Sequence, residues 1–97
     1  MRVAVAGLGW WGKQIISCLV KSPRFEVLHG VDPSPPEGAL DFLSGLGVAY
    51  AADLDAVLAD EAVEGIILAT PHRLHEAQCL SVLAAGKELF CEKPLAM

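Results

Sequence analysis

Three glycines near the amino terminus carry the first sign of chemistry. In Gly7-Leu8-Gly9-Trp10-Trp11-Gly12 they take the spacing G-x-G-x-x-G, which serves to bring a phosphate against bare backbone. Gly7 permits the tight turn, Gly9 leaves room for a pyrophosphate to approach, and Gly12 lets the following helix pack closely on its strand. The phosphates then sit at a helix amino terminus, where free N–H groups and the helix dipole favour negative charge. Asp32 stands twenty residues beyond Gly12, the offset at which a carboxylate binds both ribose hydroxyls of an adenosine. Such a carboxylate repels a 2′-phosphate, and no Arg or Lys lies between Val31 and Gly38 to neutralise one, so the pattern predicts NAD in preference to NADP. The competing reading makes Asp32 merely the start of an Asp32-Pro33 turn. Trp10 and Trp11 flank the expected phosphate site and count among its cofactor-binding candidates. Trp11 fits the core stripe of the helix, whereas Trp10 is expected to point toward solvent, the cofactor or a partner surface.

For these residues to meet, the glycine turn must join a strand to a helix and Asp32 must close a second strand. Val3 to Ala6 and Gly65 to Ala69 are unbroken apolar runs, as expected of parallel strands covered on both faces. Phe25 to Val31, Val48 to Tyr50 and Glu88 to Cys91 read as three further strands. Helical spacing of Trp11, Ile15, Ile16, Leu19 and Val20 predicts a first helix, ended by Ser22-Pro23. Pro35-Pro36 is expected to open a second, through Ala39, Leu40 and Leu43 to Gly45 or Gly47, and Asp53 to cap a third through Leu54, Val57 and Leu58. For the fourth, Thr70 is the expected cap and Pro71 the first residue, with Leu74, Ala77, Leu80 and Ala84 facing inward and Gly86 ending it. The alternation predicts an α/β fold, a doubly wound parallel sheet of Rossmann-like type with about five strands and helices on both faces. A full dinucleotide fold continues into another helix and a sixth strand. Residues 1–97 are therefore expected to be an incomplete dinucleotide-binding domain, truncated before that strand.

Composition narrows the function. The chain has 97 residues, 54% of them hydrophobic and 20% charged, which suits one folded domain and excludes disorder. Seven Lys and Arg against twelve Asp and Glu give a net charge of -5, without the basic cluster that nucleic acid binding needs. No apolar run approaches the ~20 residues of a membrane span, and no signal-peptide cleavage site is present, so a cytoplasmic protein without membrane or nucleic acid partners is expected. Cys18, Cys79 and Cys91 are an odd count without a C-x-x-C pair and read as reduced, packed thiols. His29, within a strand, reads as structural. His72 and His75 lie three apart with no third ligand in view, and no metal site is predicted.

Three further segments complete a pattern: Ala69-Thr70-Pro71-His72-Arg73-Leu74-His75, Ala84-Ala85-Gly86-Lys87 and Cys91-Glu92-Lys93-Pro94-Leu95-Ala96. With the glycine turn and Asp32, in this order and spacing, the chain resembles over essentially its whole length the Gfo/Idh/MocA family of NAD(P)-dependent sugar and polyol oxidoreductases. The resemblance implies that Lys93 reaches the substrate carbinol and assists proton transfer, and that Pro94 shapes the wall beside the nicotinamide. It implies that Glu92 contacts the cofactor on its nicotinamide side, that Thr70 and Pro71 lie along the nucleotide, and that His75 adjoins them. His72 stands where the family most often has Asn. Hydride transfer from an alcohol leaves a proton to be removed, which a lysine of lowered pKa near the hydroxyl can take. Lys93 follows the fifth strand at its carboxyl end, the edge where doubly wound sheets bind ligands.

The resemblance also implies a second, α/β domain that covers the nicotinamide and supplies the substrate pocket, including an Asp and a His that complete proton transfer. The 97-residue chain is thus expected to bind nucleotide yet be inactive alone. An open strand edge and uncovered apolar surface are expected to make it self-associate. The rival reading, a non-catalytic NAD-binding regulatory module, gives no reason for Glu92-Lys93-Pro94. A methyltransferase loop usually carries an acidic residue just before its glycines, where this chain has Ala4, Val5 and Ala6.

Overall fold

The computed structural model describes residues 1–70 and 72–91, the side chains of 72–75 and 91 excepted. The elements run β1 (Arg2–Ala6), α1 (Trp10–Leu19), β2 (Glu26–Val31), α2 (Ala39–Leu46), β3 (Ala49–Ala51), α3 (Leu54–Leu58), β4 (Gly65–Leu68), α4 (His72–Ala84) and β5 (Glu88–Cys91). All strands are parallel, in the order β3-β2-β1-β4-β5. This is the predicted Rossmann-like sheet.

Alternation along β1 explains its unbroken apolar run. Val3 and Val5 pack with Leu8, Ile16, Ala39 and Leu43 on the α1 and α2 side. Ala4 and Ala6 pack with Val57, Ile66, Leu68 and Val82 on the α3 and α4 side. Both faces are buried, so neither set can be polar. The chain steps from β1 to β2 to β3 in one direction, then crosses back to set β4 on the other side of β1. That reversal opens a crevice at the carboxyl ends of β1 and β4.

Local chemistry sets most helix ends. The Asp53 carboxylate accepts from the Asp55 N–H at 3.0 Å and caps α3, as expected. Gly47, at φ 73°, closes α2. The helix begins later than predicted: Gly38, at φ 85°, is its N-cap, and Pro36 instead accepts from the Ala39 N–H in the turn before it.

Three other expectations are corrected. Trp11 is not in the core but 45% exposed; the buried residues of α1 are Gly12 and Ile16. The close approach of Gly12 to the glycine turn decides which face of α1 looks inward, and Trp11 is rotated off that face by about 100°. On α4, Ala77, Leu80 and Ala84 are exposed, whereas Val82 is fully buried and Cys79 packs beside it. Leu80 and Leu83 make a second apolar side that spacing alone does not distinguish from the first. Cys18 is exposed on α1 and Cys79 half-buried, so only the latter fits the packed reading, and the side chain of Cys91 lies outside the described residues.

His29 is structural. Its Nε2 meets Asp60 Oδ2 at 3.1 Å, tying β2 to the connection before β4. Lys87 braces the same connection, with Nζ donating to the carbonyls of Asp60 at 2.8 Å and Val63 at 2.6 Å.

Candidate functional site

The glycine turn leaves β1 with Gly7 at φ 103°, and its N–H donates to the Val31 carbonyl at 2.7 Å. A Cβ on Gly7 would lie 2.7 Å from the Ala69 carbonyl oxygen, and one on Gly12 would lie 1.8 Å from the Gly7 carbonyl oxygen. Both overlaps are with backbone, so neither position admits a side chain without moving the strand ends. A Cβ on Gly9 would meet nothing within 4 Å. Crowding thus explains two of the glycines and open space marks the third.

Gly9 is the N-cap of α1, without a side-chain capping bond and with no acidic residue in the first turn. The first-turn N–H groups have no helical carbonyl within reach, so the positive end of α1 is left without a side-chain acceptor. It borders a cleft of about 610 Å³ at the reversal in strand order. Gly7, Gly9, Trp10, Trp11, Asp32 and Thr70, all singled out from the sequence, line this cleft. Trp10 and Trp11 stack at its rim, ring centres 5.6 Å apart and planes at 24°, and Trp10 is 68% exposed.

Asp32 makes the turn of the competing reading and also lines the cleft. Oδ1 accepts from the Ser34 N–H at 2.9 Å, which makes the turn at Pro33, and Oδ2 accepts from the Leu8 N–H at 2.9 Å, which ties β2 to the glycine loop. Each carboxylate oxygen has a second lone pair, leaving acceptor capacity on the cleft side. An uncapped helix start beside an acceptor-only carboxylate fits a dinucleotide, with phosphates at α1 and ribose hydroxyls at Asp32. Across the cleft the Thr70 hydroxyl donates to Gln78 Oε1, two turns along α4.

Pro71, Glu92, Lys93 and Pro94 lie outside the described residues, and of His75 only its place in α4 is described. The sequence reading missed Ser34 and Gln78, which line the cleft, and Tyr50, which bonds to Asp32 from outside it. The signal for Ser34 was the Asp-Pro-Ser turn itself. Tyr50 required the pairing of β3 with β2, and Gln78 required the true inward face of α4. Among the described residues there is no cluster of metal ligands, and no helix is long and apolar enough to cross a membrane.

Known proteins resemble this chain in sequence and fold. Inositol 2-dehydrogenase of Rhodococcus jostii (strain RHA1) is 35% identical over 97 residues, 98% of this chain and 26% of that protein. The crystal structure of GenD2 from gentamicin A biosynthesis in complex with NAD superposes with a TM-score of 0.88 and 33% identity, covering 99% of this chain and 27% of that one. Biliverdin reductase from Synechocystis sp. PCC 6803, solved with biliverdin and NADP+, gives a TM-score of 0.84 and 25% identity over 98% of this chain and 30% of that one. The chain thus spans about a quarter of the length of the curated relatives it matches. The profile of the oxidoreductase family with NAD-binding Rossmann fold matches residues 1–97, and with the crevice, the glycine turn and Asp32 in place, the chain belongs to the Gfo/Idh/MocA family.

Proposed function

We propose that the chain is the nucleotide-binding part of a cytoplasmic NAD-dependent oxidoreductase that transfers hydride between a sugar or polyol hydroxyl and nicotinamide. The observation that carries the reading is Asp32, held by the Leu8 and Ser34 N–H groups at the cleft beside an uncapped α1. In this reading Asp32 accepts the adenosine ribose hydroxyls, Gly9 and the first turn of α1 hold the pyrophosphate, and Thr70 with Pro71 lies along the nucleotide. When bound, the nicotinamide supplies the hydride acceptor. The chain's own share is Lys93, which reaches the substrate hydroxyl and assists the removal of its proton. Glu92 and Pro94 then position that end of the site. The substrate class rests on likeness to the inositol 2-dehydrogenase and on the Glu92-Lys93-Pro94 segment.

Preference for NAD follows from charge. A carboxylate beside a 2′-phosphate is repulsive, and residues 32–38 supply no cation. Titration with NADH and NADPH, read by quenching of tryptophan emission, tests this. Saturable quenching at about tenfold or more lower NADH than NADPH, a difference of about 1.4 kcal/mol, is expected, and Asp32→Ala should abolish the difference. Equal binding of the two nucleotides, or none of NADH, overturns the reading.

A further inference from the structure

Resting on the reading of Asp32 as the ribose-binding carboxylate, we propose that Tyr50 is a positioning residue for NAD selectivity, its hydroxyl fixing the peptide that aims the Asp32 carboxylate. Tyr50 lies on β3, paired with Gly30 of β2, and its hydroxyl donates to the Asp32 carbonyl at 2.7 Å. The Asp32 N–H donates to the Ala51 carbonyl at 3.1 Å. The backbone of Asp32 is therefore gripped by β3 on both sides of its Cα, while its carboxylate accepts from the Leu8 and Ser34 N–H groups.

The next residue makes this grip matter. Asp32 stands one residue beyond the end of β2, and Pro33, having no N–H, offers the turn no donor of its own. Among the described residues, the Tyr50 hydroxyl is the donor recorded on the Asp32 carbonyl. It sets the plane of the Asp32–Pro33 peptide and, through it, the orientation from which the side chain leaves. Tyr50 is not among the residues lining the cleft, so it acts on a nucleotide through Asp32.

The two nucleotides should respond differently. Hydrogen bonds from ribose hydroxyls depend steeply on the direction of the carboxylate, whereas repulsion of a 2′-phosphate depends mainly on its distance. Loosening Asp32 therefore weakens NADH binding and leaves NADPH binding nearly unchanged. Tyr50 is 38% exposed, so Tyr50→Phe strands no buried polar group and the fold is retained, while a freely exchanging water does not hold the peptide plane as the tethered hydroxyl does.

The experiment compares wild-type protein, Tyr50→Phe and Asp32→Ala in NADH and NADPH titrations, and follows the Leu8 amide proton by NMR without nucleotide. In Tyr50→Phe the NADH affinity should fall about three- to tenfold, the span expected for one hydrogen bond, with NADPH affinity changed less than twofold. The Leu8 amide signal should shift upfield as its bond to Asp32 loosens. Equal loss for both nucleotides, or an unchanged ratio with an unmoved Leu8 signal, overturns the role of Tyr50. If wild type prefers NADH and Asp32→Ala removes the preference while Tyr50→Phe leaves it unchanged, the Asp32 reading stands and the Tyr50 proposal fails. Absence of NADH preference in wild type overturns both.

Discussion

At the scale of single residues, the glycine turn separates two kinds of constraint that the motif G-x-G-x-x-G runs together. At Gly12 the obstacle is the protein itself, since a methyl group would sit 1.8 Å from the Gly7 carbonyl oxygen. At Gly9 the protein offers no obstacle within 4 Å. Its backbone, at φ -70° and ψ -169°, is also open to alanine. Gly12→Ala is therefore expected to cost about 3 kcal/mol or more in stability, at the upper end of overpacking. Gly9→Ala should cost about 1 kcal/mol or less, as an N-cap exchange, yet weaken NADH binding at least about tenfold, because the new methyl occupies the phosphate approach. Urea unfolding with nucleotide titration of both variants checks this. A Gly9→Ala protein that binds like wild type would show that phosphate does not approach there.

At the scale of elements, His29, Asp60 and Lys87 brace the connections between strands at the edge away from the cleft. The Asp60 carboxyl is held below its ordinary 3.8, first by the Ala62 N–H and then by His29. The folded chain thus binds that proton less readily than the unfolded chain. The stabilisation is full above 3.8 and is lost as the pH falls through and below that value. Asp60→Asn should lower the urea midpoint at about pH 6, and the gap from wild type should narrow as the pH falls below the ordinary carboxylate value; a gap independent of pH would count against the charge. Lys87 marks the limit of reading function from a pattern. It belongs to the Ala84-Ala85-Gly86-Lys87 segment, and its Nζ spends its protons on the Asp60 and Val63 carbonyls. β1 and β4 were legible because being covered on both faces demands unbroken apolar runs. The inward face of α4 was not, because Cys79 and Val82 on one side and Leu80 and Leu83 on the other are equally apolar. The glycine turn and Asp32 were legible from spacing, whereas Tyr50 enters only through the pairing of β3 with β2, a long-range fact that local pattern does not contain.

At the scale of the whole molecule, no single segment forms the cleft. The Gly7 N–H bonds to Val31, the Ala69 N–H to Ala6 and the Leu8 N–H to Asp32, so the ends of β1, β2 and β4 must all be in register before the glycine turn takes its shape. Local folding of α1 cannot supply these bonds, because each joins positions far apart in the chain. Unfolding of the site and of the sheet should therefore be one event. Tryptophan emission reports the cleft, since Trp10 and Trp11 are the tryptophans of the chain, and far-UV circular dichroism reports the sheet and helices. The two urea transitions should coincide. Ile66→Ala, at a fully buried position on β4, should move both to lower urea by about 2–5 kcal/mol. NADH at about 100 times its Kd should move both to higher urea by about 2.7 kcal/mol. An emission transition that precedes the loss of circular dichroism, or that responds to NADH alone, would mean that the glycine turn opens while the sheet stands, and that the strand-end bonds do not hold it.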